Sequence, residues 1–244
     1  MRVQNKLLTL GLIALSIFLL GLTAESKTKR AKLFKVAIID SGFGFETELN
    51  KKAFKICKTG SFDFISNLPM VGDDELGHGT SVMGLVNRRA NTKNMCFLVY
   101  KVFGSTPYGD SNNIRKAMVA AYRNGAKVIN MSLGGNQHSI QEREIIKEIT
   151  GRGVKIFVAA GNASKNLNVT CNSYPVCYKN LNMNLIPIGA TDEDVDVAKY
   201  SNRGVKISVY KYGRTISGSR GTSFAAPRAT GDYIKSLNLD KKSK

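Results

Sequence analysis

Histidine is nearly absent from this chain: its 244 residues hold two, His78 and His138, so any chemistry needing an imidazole near neutral pH has two positions to use. Acids are also in short supply, 18 against 36 lysines and arginines, for a formal charge of +18. Such an excess favours anionic partners in general. No nucleic-acid motif accompanies it, and the basic residues are scattered apart from local groups at Lys27 to Lys35, Lys51 to Lys58 and Lys241 to Lys244. That is the pattern of a solvated surface, and no nucleic-acid partner is expected. Internal repeats and low-complexity linkers are missing too, which excludes a string of tethered modules and leaves one domain. The hydrophobic fraction, 43%, is that of an ordinary globular chain able to bury a core.

What is present begins with Arg2 and Lys6 ahead of an almost uninterrupted apolar run, Leu7 to Leu22, followed by small and polar residues from Thr23. This is the layout of a secretory signal peptide, residues 1–24, cut after Ala24. Leu22 is large for its place before that cut, so an uncleaved N-terminal anchor stands as the alternative, although the run is short for a membrane span. Export, periplasmic or secreted, is the expectation, with membrane attachment only if the segment stays uncleaved. Residues 25–34 read as a short basic lead-in and 35–244 as the folded domain.

Export makes the four cysteines interpretable, because disulfides persist outside the reducing cytosol. Cys171 and Cys177 flank a turn-like Asn-Ser-Tyr-Pro and are the first choice for a local bridge. That leaves Cys57 with Cys96, or both free; four reduced, buried thiols are the other reading.

Along the chain, Lys35–Asp40 is a short apolar run ending in an acid, as in a strand buried on both faces of a parallel sheet. A glycine-rich turn follows, then an irregular lysine-rich segment to about Met70. His78 opens a stretch of small and apolar residues that suits a closely packed helix. Met95–Phe103, Val128–Met131, Ile156–Ala159, Leu185–Ala190 and, with a weaker pattern, Val205–Tyr210 read as further strands. Ile114, Ala117, Met118 and Ala121 mark an amphipathic helix ending near Asn124-Gly125. Ser139 with Glu142 has capping-box spacing for a helix whose buried side is Ile145, Ile146 and Ile149. A last helix runs from Thr222 to Ser236, with Pro227 near its first turn. Strands alternating with helices predict a three-layer α/β fold, a mostly parallel sheet with helices on both faces, whose ligands gather beyond the C-terminal strand ends.

Four polar residues in glycine-rich settings need a joint explanation: Asp40, His78, Asn162 and Ser223. Alone, Ser223 reads as a helix cap. Together the four supply a hydroxyl nucleophile, a base to take its proton, a carboxylate to hold that base's tautomer, and an amide donor for an oxyanion.

The blocks around them resemble those of the subtilisin-like serine proteases, the subtilases. IIDSGFG resembles the family's aspartate motif, GHGTSVMGLV its histidine motif, VINMSLGG and VAAGN its substrate-binding and oxyanion blocks, and GTSFAAPRATG its serine motif. The order Asp, His, Ser matches, and the likeness spans residues 35 to about 235. The resemblance implies a subtilisin-like fold and an exported serine endopeptidase, a monomer acting on protein or peptide. Ser223 would attack a peptide carbonyl to form an acyl-enzyme, with His78 as base then acid, Asp40 orienting His78, and Asn162 in the oxyanion hole. Ser132, Leu133 and Gly134 would pair with an extended substrate, and Ala160, Gly161 and the loop near Ser173 would line the primary specificity pocket.

There are departures from the family pattern. Only a short stretch separates Ala24 from the first strand, where many secreted subtilases carry a folded pro-domain. Met83 replaces the usual alanine of the histidine block, and Phe224 the frequent methionine beside the serine. Calcium, common in the family, would draw on Asp73 to Glu75 and Asp192 to Asp196; neither has loop-motif spacing, both read as surface acids, and no metal or cofactor is assigned. His138, in a polar loop, reads as an exposed bystander. A catalytically silent module that grips extended peptides is the competing function. An α/β-hydrolase is excluded because Ser223 lacks a G-x-S-x-G elbow.

Overall fold

The computed structural model describes residues 33–44, 54–69, 73–193 and 196–241. The signal segment 1–24, the lead-in up to Lys32, part of the irregular segment, and Asp194 of the second acidic group lie outside them. Strands apolar at nearly every position make the centre of the sheet: Phe34–Asp40 (β1), Met95–Lys101 (β4), Val128–Met131 (β5), Lys155–Ala159 (β6) and Leu185–Asp192 (β7). With Phe62–Asp63 (β2), Leu68–Pro69 (β3), Asp196–Val197 (β8) and Val209–Tyr212 (β9) they form one nine-stranded sheet in the order β3-β2-β4-β1-β5-β6-β7-β8, with β9 also paired to β7. Every pairing is parallel except β2–β3 and β7–β8.

Among the described residues four α-helices cover the sheet: His78–Ala90 (α1), Ser111–Arg123 (α2), Ile140–Gly151 (α3) and Thr222–Ser236 (α4). Alternation along β1 assigns them to faces. Val36 and Ile38 pack with Val82, Met83 and Val86 of α1 and Ala225, Ala226 and Ala229 of α4. Ala37 and Ile39 pack with Ala117, Met118 and Ala121 of α2 and Ile146 and Ile149 of α3. The expected three-layer α/β architecture is what forms, and Met83 is fully buried within it. β1 lies between β4 and β5, so the crevice at the C-terminal end of β1 is where such sheets hold ligands.

The caps follow the sequence. Ser139 accepts from Glu142 N at the start of α3, and Asp110 accepts from Asn112 N at the start of α2. The Cys171–Cys177 bridge forms as the sequence favours it, and of the two options left open for Cys57 and Cys96 the structure takes the bridge. The last strand is displaced from its expected place at 205–210. Gly204 has φ +132 and its carbonyl accepts from Ile207 N, so the chain turns there and pairs with β7 only from Val209. The strand expected over 95–103 stops at Lys101, and the irregular segment contributes only the two short strands β2 and β3.

Candidate active site

β1 ends in Asp40, almost fully buried, and α1 begins with His78. His78 Nδ1 meets Asp40 Oδ1 at 2.7 Å, the bond that fixes an imidazole's tautomer and leaves Nε2 for proton transfer. Burial pushes the His78 imidazole down, but the hydrogen bond and charge of Asp40, with the charge of Asp74, outweigh it and leave the group above its ordinary range. On the other side the ring lies against Phe224, centroids 5.4 Å apart. The aromatic residue that departs from the family pattern thus packs on the base.

Ser223 stands in the first turn of α4, beside a helix N-terminus whose N–H groups favour negative charge. Its Oγ has no hydrogen-bond partner among the described residues, so the histidine–serine link is open. Pro227 sits one turn further along than the sequence suggests, inside the helix. There its missing N–H deprives the Ser223 carbonyl of a helical partner, and Ser132 Oγ takes that place at 2.8 Å. Ser132 is therefore buried and ties the serine's backbone to the end of β5, a role sequence reasoning missed.

Asn162 follows β6. Its Oδ1 accepts from Thr222 N at 2.8 Å and Thr222 Oγ1 at 2.9 Å, and Thr222 Oγ1 in turn accepts from Gly161 N at 3.1 Å. A backbone N–H can only donate, so the oxygen must face Thr222 and the amide N–H₂ must face the cleft. A Cβ placed on Gly221 would lie 3.2 Å from Asn162 Nδ2 and 3.7 Å from Ser223 N, so two donors converge beside the serine. Donors so placed are the kind an oxyanion accepts from.

Asp40, His78, Asn162 and Ser223 line one open cleft of about 1340 Å³, together with Ser132, Leu133, Gly134, Gly161 and Ser173. Leu133 and Gly134 make no backbone hydrogen bonds among the described residues, whereas Gly135 is paired with Tyr174. Ala160 is buried, and its carbonyl accepts from Ser173 Oγ at 3.0 Å and Asn202 Nδ2 at 2.8 Å. Asn202, which no motif announced, braces the cleft wall and accepts from Lys165 N at 2.9 Å. His138 is exposed as expected, but it lines the cleft and packs edge-on against Tyr174 and Tyr178, 5.5 and 5.6 Å away. Four of the acids considered for calcium have protein partners. Asp73 and Glu75 engage Lys101, Asp74 accepts from Thr80, and Asp192 accepts from Arg214. No three His, Cys, Asp or Glu side chains among the described residues converge on a metal position.

The model of the subtilase family matches residues 31–239. An alkaline protease of Alkalihalobacillus alcalophilus is 28% identical over 213 residues, 81% of this chain and 52% of that one. Subtilisin Savinase of Lederbergia lenta is 28% identical over 81% of this chain and 73% of its own. The chain thus spans about half the length of the first relative. The crystal structure of a cold adapted subtilisin-like serine proteinase superposes with a TM-score of 0.70, at 22% identity, over 87% of this chain and 78% of that one. A family model covering most of the chain, the subtilisin-like fold and the same residues gathered at the sheet's edge lead to one conclusion: the chain belongs to the subtilase family.

Proposed function

We propose that the protein is an exported serine endopeptidase that hydrolyses peptide bonds through an acyl-enzyme on Ser223. The observation that carries this is the 2.7 Å bond between Asp40 and His78 at the head of a cleft that also holds Ser223 and the Asn162 amide. A peptide lying along the unpaired edge of Leu133 and Gly134 would add a strand there. His78 Nε2 takes the Ser223 proton as Oγ attacks the carbonyl carbon, and the oxyanion accepts from Asn162 Nδ2 and Ser223 N. The imidazolium then gives its proton to the leaving amine, and water releases the acyl group by the same route. The open histidine–serine link tightens when substrate arrives, as catalytic hydrogen bonds commonly do.

The N-terminal segment 1–24 is read as the export signal, 25–34 as lead-in and 35–244 as the peptidase. Two disulfides support an oxidising destination. No described helix is long and apolar enough to cross a membrane. Substrates are proteins or peptides, and the enzyme acts as a monomer without a metal. Incubation of wild-type protein and Ser223→Ala with a peptide library, read by mass spectrometry, tests the reading: new termini should appear with the wild type alone. Binding of library peptides without cleavage by folded wild-type protein would replace it with the silent peptide-gripping module.

A further inference from the structure

Three acids in a row precede His78, and the fold sorts them. Asp73 and Glu75 turn to the buried Lys101, at 2.5 and 3.5 Å. Asp74 takes a different course and forms no ion pair among the described residues. Its Oδ1 accepts from Ser41 Oγ at 2.7 Å, and its Oδ2 accepts from Thr80 N at 2.7 Å and Thr80 Oγ1 at 2.5 Å.

These bonds matter because of how α1 begins. Its N-cap, Gly77, has φ 64 and no side chain to offer, and its first turn holds no acid. The free N–H groups of that turn are instead satisfied from outside, Gly79 N by Ser41 Oγ at 2.9 Å and Thr80 N by Asp74. Ser41 is the residue after Asp40, and its N–H donates to the same Asp40 oxygen that holds His78, at 2.8 Å. Asp74, Ser41 and Asp40 therefore form a chain of contacts from the capped turn to the imidazole. A Cβ at Gly79 would come within 2.3 Å of Gly42 O, so the turn is set directly against the end of β1.

We infer that Asp74 is a positioning residue for the Asp40–His78 couple, pinning the first turn of α1 to the end of β1 and keeping a second negative charge beside the imidazole. This rests on the reading of His78 as the base. The charged groups around His78 agree with it: Asp40 comes from β1 and Asp74 from the preceding loop, α4 lays Phe224 against the ring, and Lys101 from β4 is engaged by Asp73 and Glu75. A negative charge there favours the imidazolium, the form His78 takes when the serine attacks.

The test is titration of the His78 imidazole by NMR in wild type and Asp74→Asn. The chain's two histidines give two signals, assigned with His78→Gln. In Asp74→Asn the His78 transition moves to lower pH, His138 is unmoved, and kcat falls by roughly tenfold while KM stays within about twofold. Asp74→Ser, which keeps an acceptor for Thr80 N but no charge, shifts the transition the same way and serves if the Asn variant does not fold. An unmoved His78 transition in a folded variant overturns the inference. Unfolding of both variants by circular dichroism overturns it too, since Asp74 would then be a stability residue. If wild-type protein cleaves nothing, the proposed function fails, while the titration still decides the role of Asp74.

Discussion

Asn162 carries the sharpest residue-level consequence, because Thr222 dictates which way its amide points. Asn162→Ala should lower kcat by about 10²- to 10³-fold with little change in KM, the magnitude general to one oxyanion donor. Thr222→Val keeps the amide but removes the hydroxyl that accepts from Gly161 N and donates to Asn162, so its loss should be smaller and should also fall on kcat. Steady-state kinetics on a cleaved library peptide read both. A rise in KM with kcat intact would place Asn162 in ground-state binding. Neither the Thr222–Asn162 contact nor the Ser132–Ser223 contact was legible in the sequence: the partners are 60 and 91 residues apart, and no periodicity records which side chains meet across strand ends.

At the scale of elements, α1 and α4 share a face of the sheet and are joined by Asp232, which accepts from Arg89 Nε at 2.8 Å and meets Lys211 of β9 at 2.8 Å. Burial pushes this carboxyl up, but the bonds from Arg89 and Lys211 outweigh it and hold the group below its ordinary range. A carboxyl with a depressed folded pKa stabilises above its unfolded pKa, near 4, and that contribution is lost as pH falls through the folded value. Asp232→Asn should therefore melt below wild type at pH 7, and the two melting curves should converge in acid; a constant gap from pH 7 to 3 would refute the assignment. The disulfides should rank by loop length. Removing Cys57–Cys96, with a separation of 39, should cost about 4 kcal/mol, and removing Cys171–Cys177, with a separation of 6, about 2 kcal/mol, by urea denaturation of the Cys→Ser pairs. Most elements were readable beforehand, since short apolar runs and capped amphipathic stretches carry their own signal. β9 was misplaced because the Gly204 turn interrupts a run whose composition still looks like a strand.

For the whole molecule, the charge of +18, or +16 once Arg2 and Lys6 leave with segment 1–24, should speed capture of acidic substrates at low ionic strength. On matched peptides, the acidic-to-basic ratio of kcat/KM should fall as salt rises from about 10 to 150 mM, a range over which the screening length contracts severalfold. A ratio independent of salt would remove charge steering. The account as a whole claims that Asp40, His78, Asn162 and Ser223, brought from four elements to one edge of the sheet, make Ser223 a nucleophile. Reaction with a fluorophosphonate followed by peptide mapping tests this most directly. The account predicts a single adduct on Ser223, lost in His78→Ala and in Ser223→Ala; a folded wild-type protein that takes up no label, or takes it equally without His78, would contradict it.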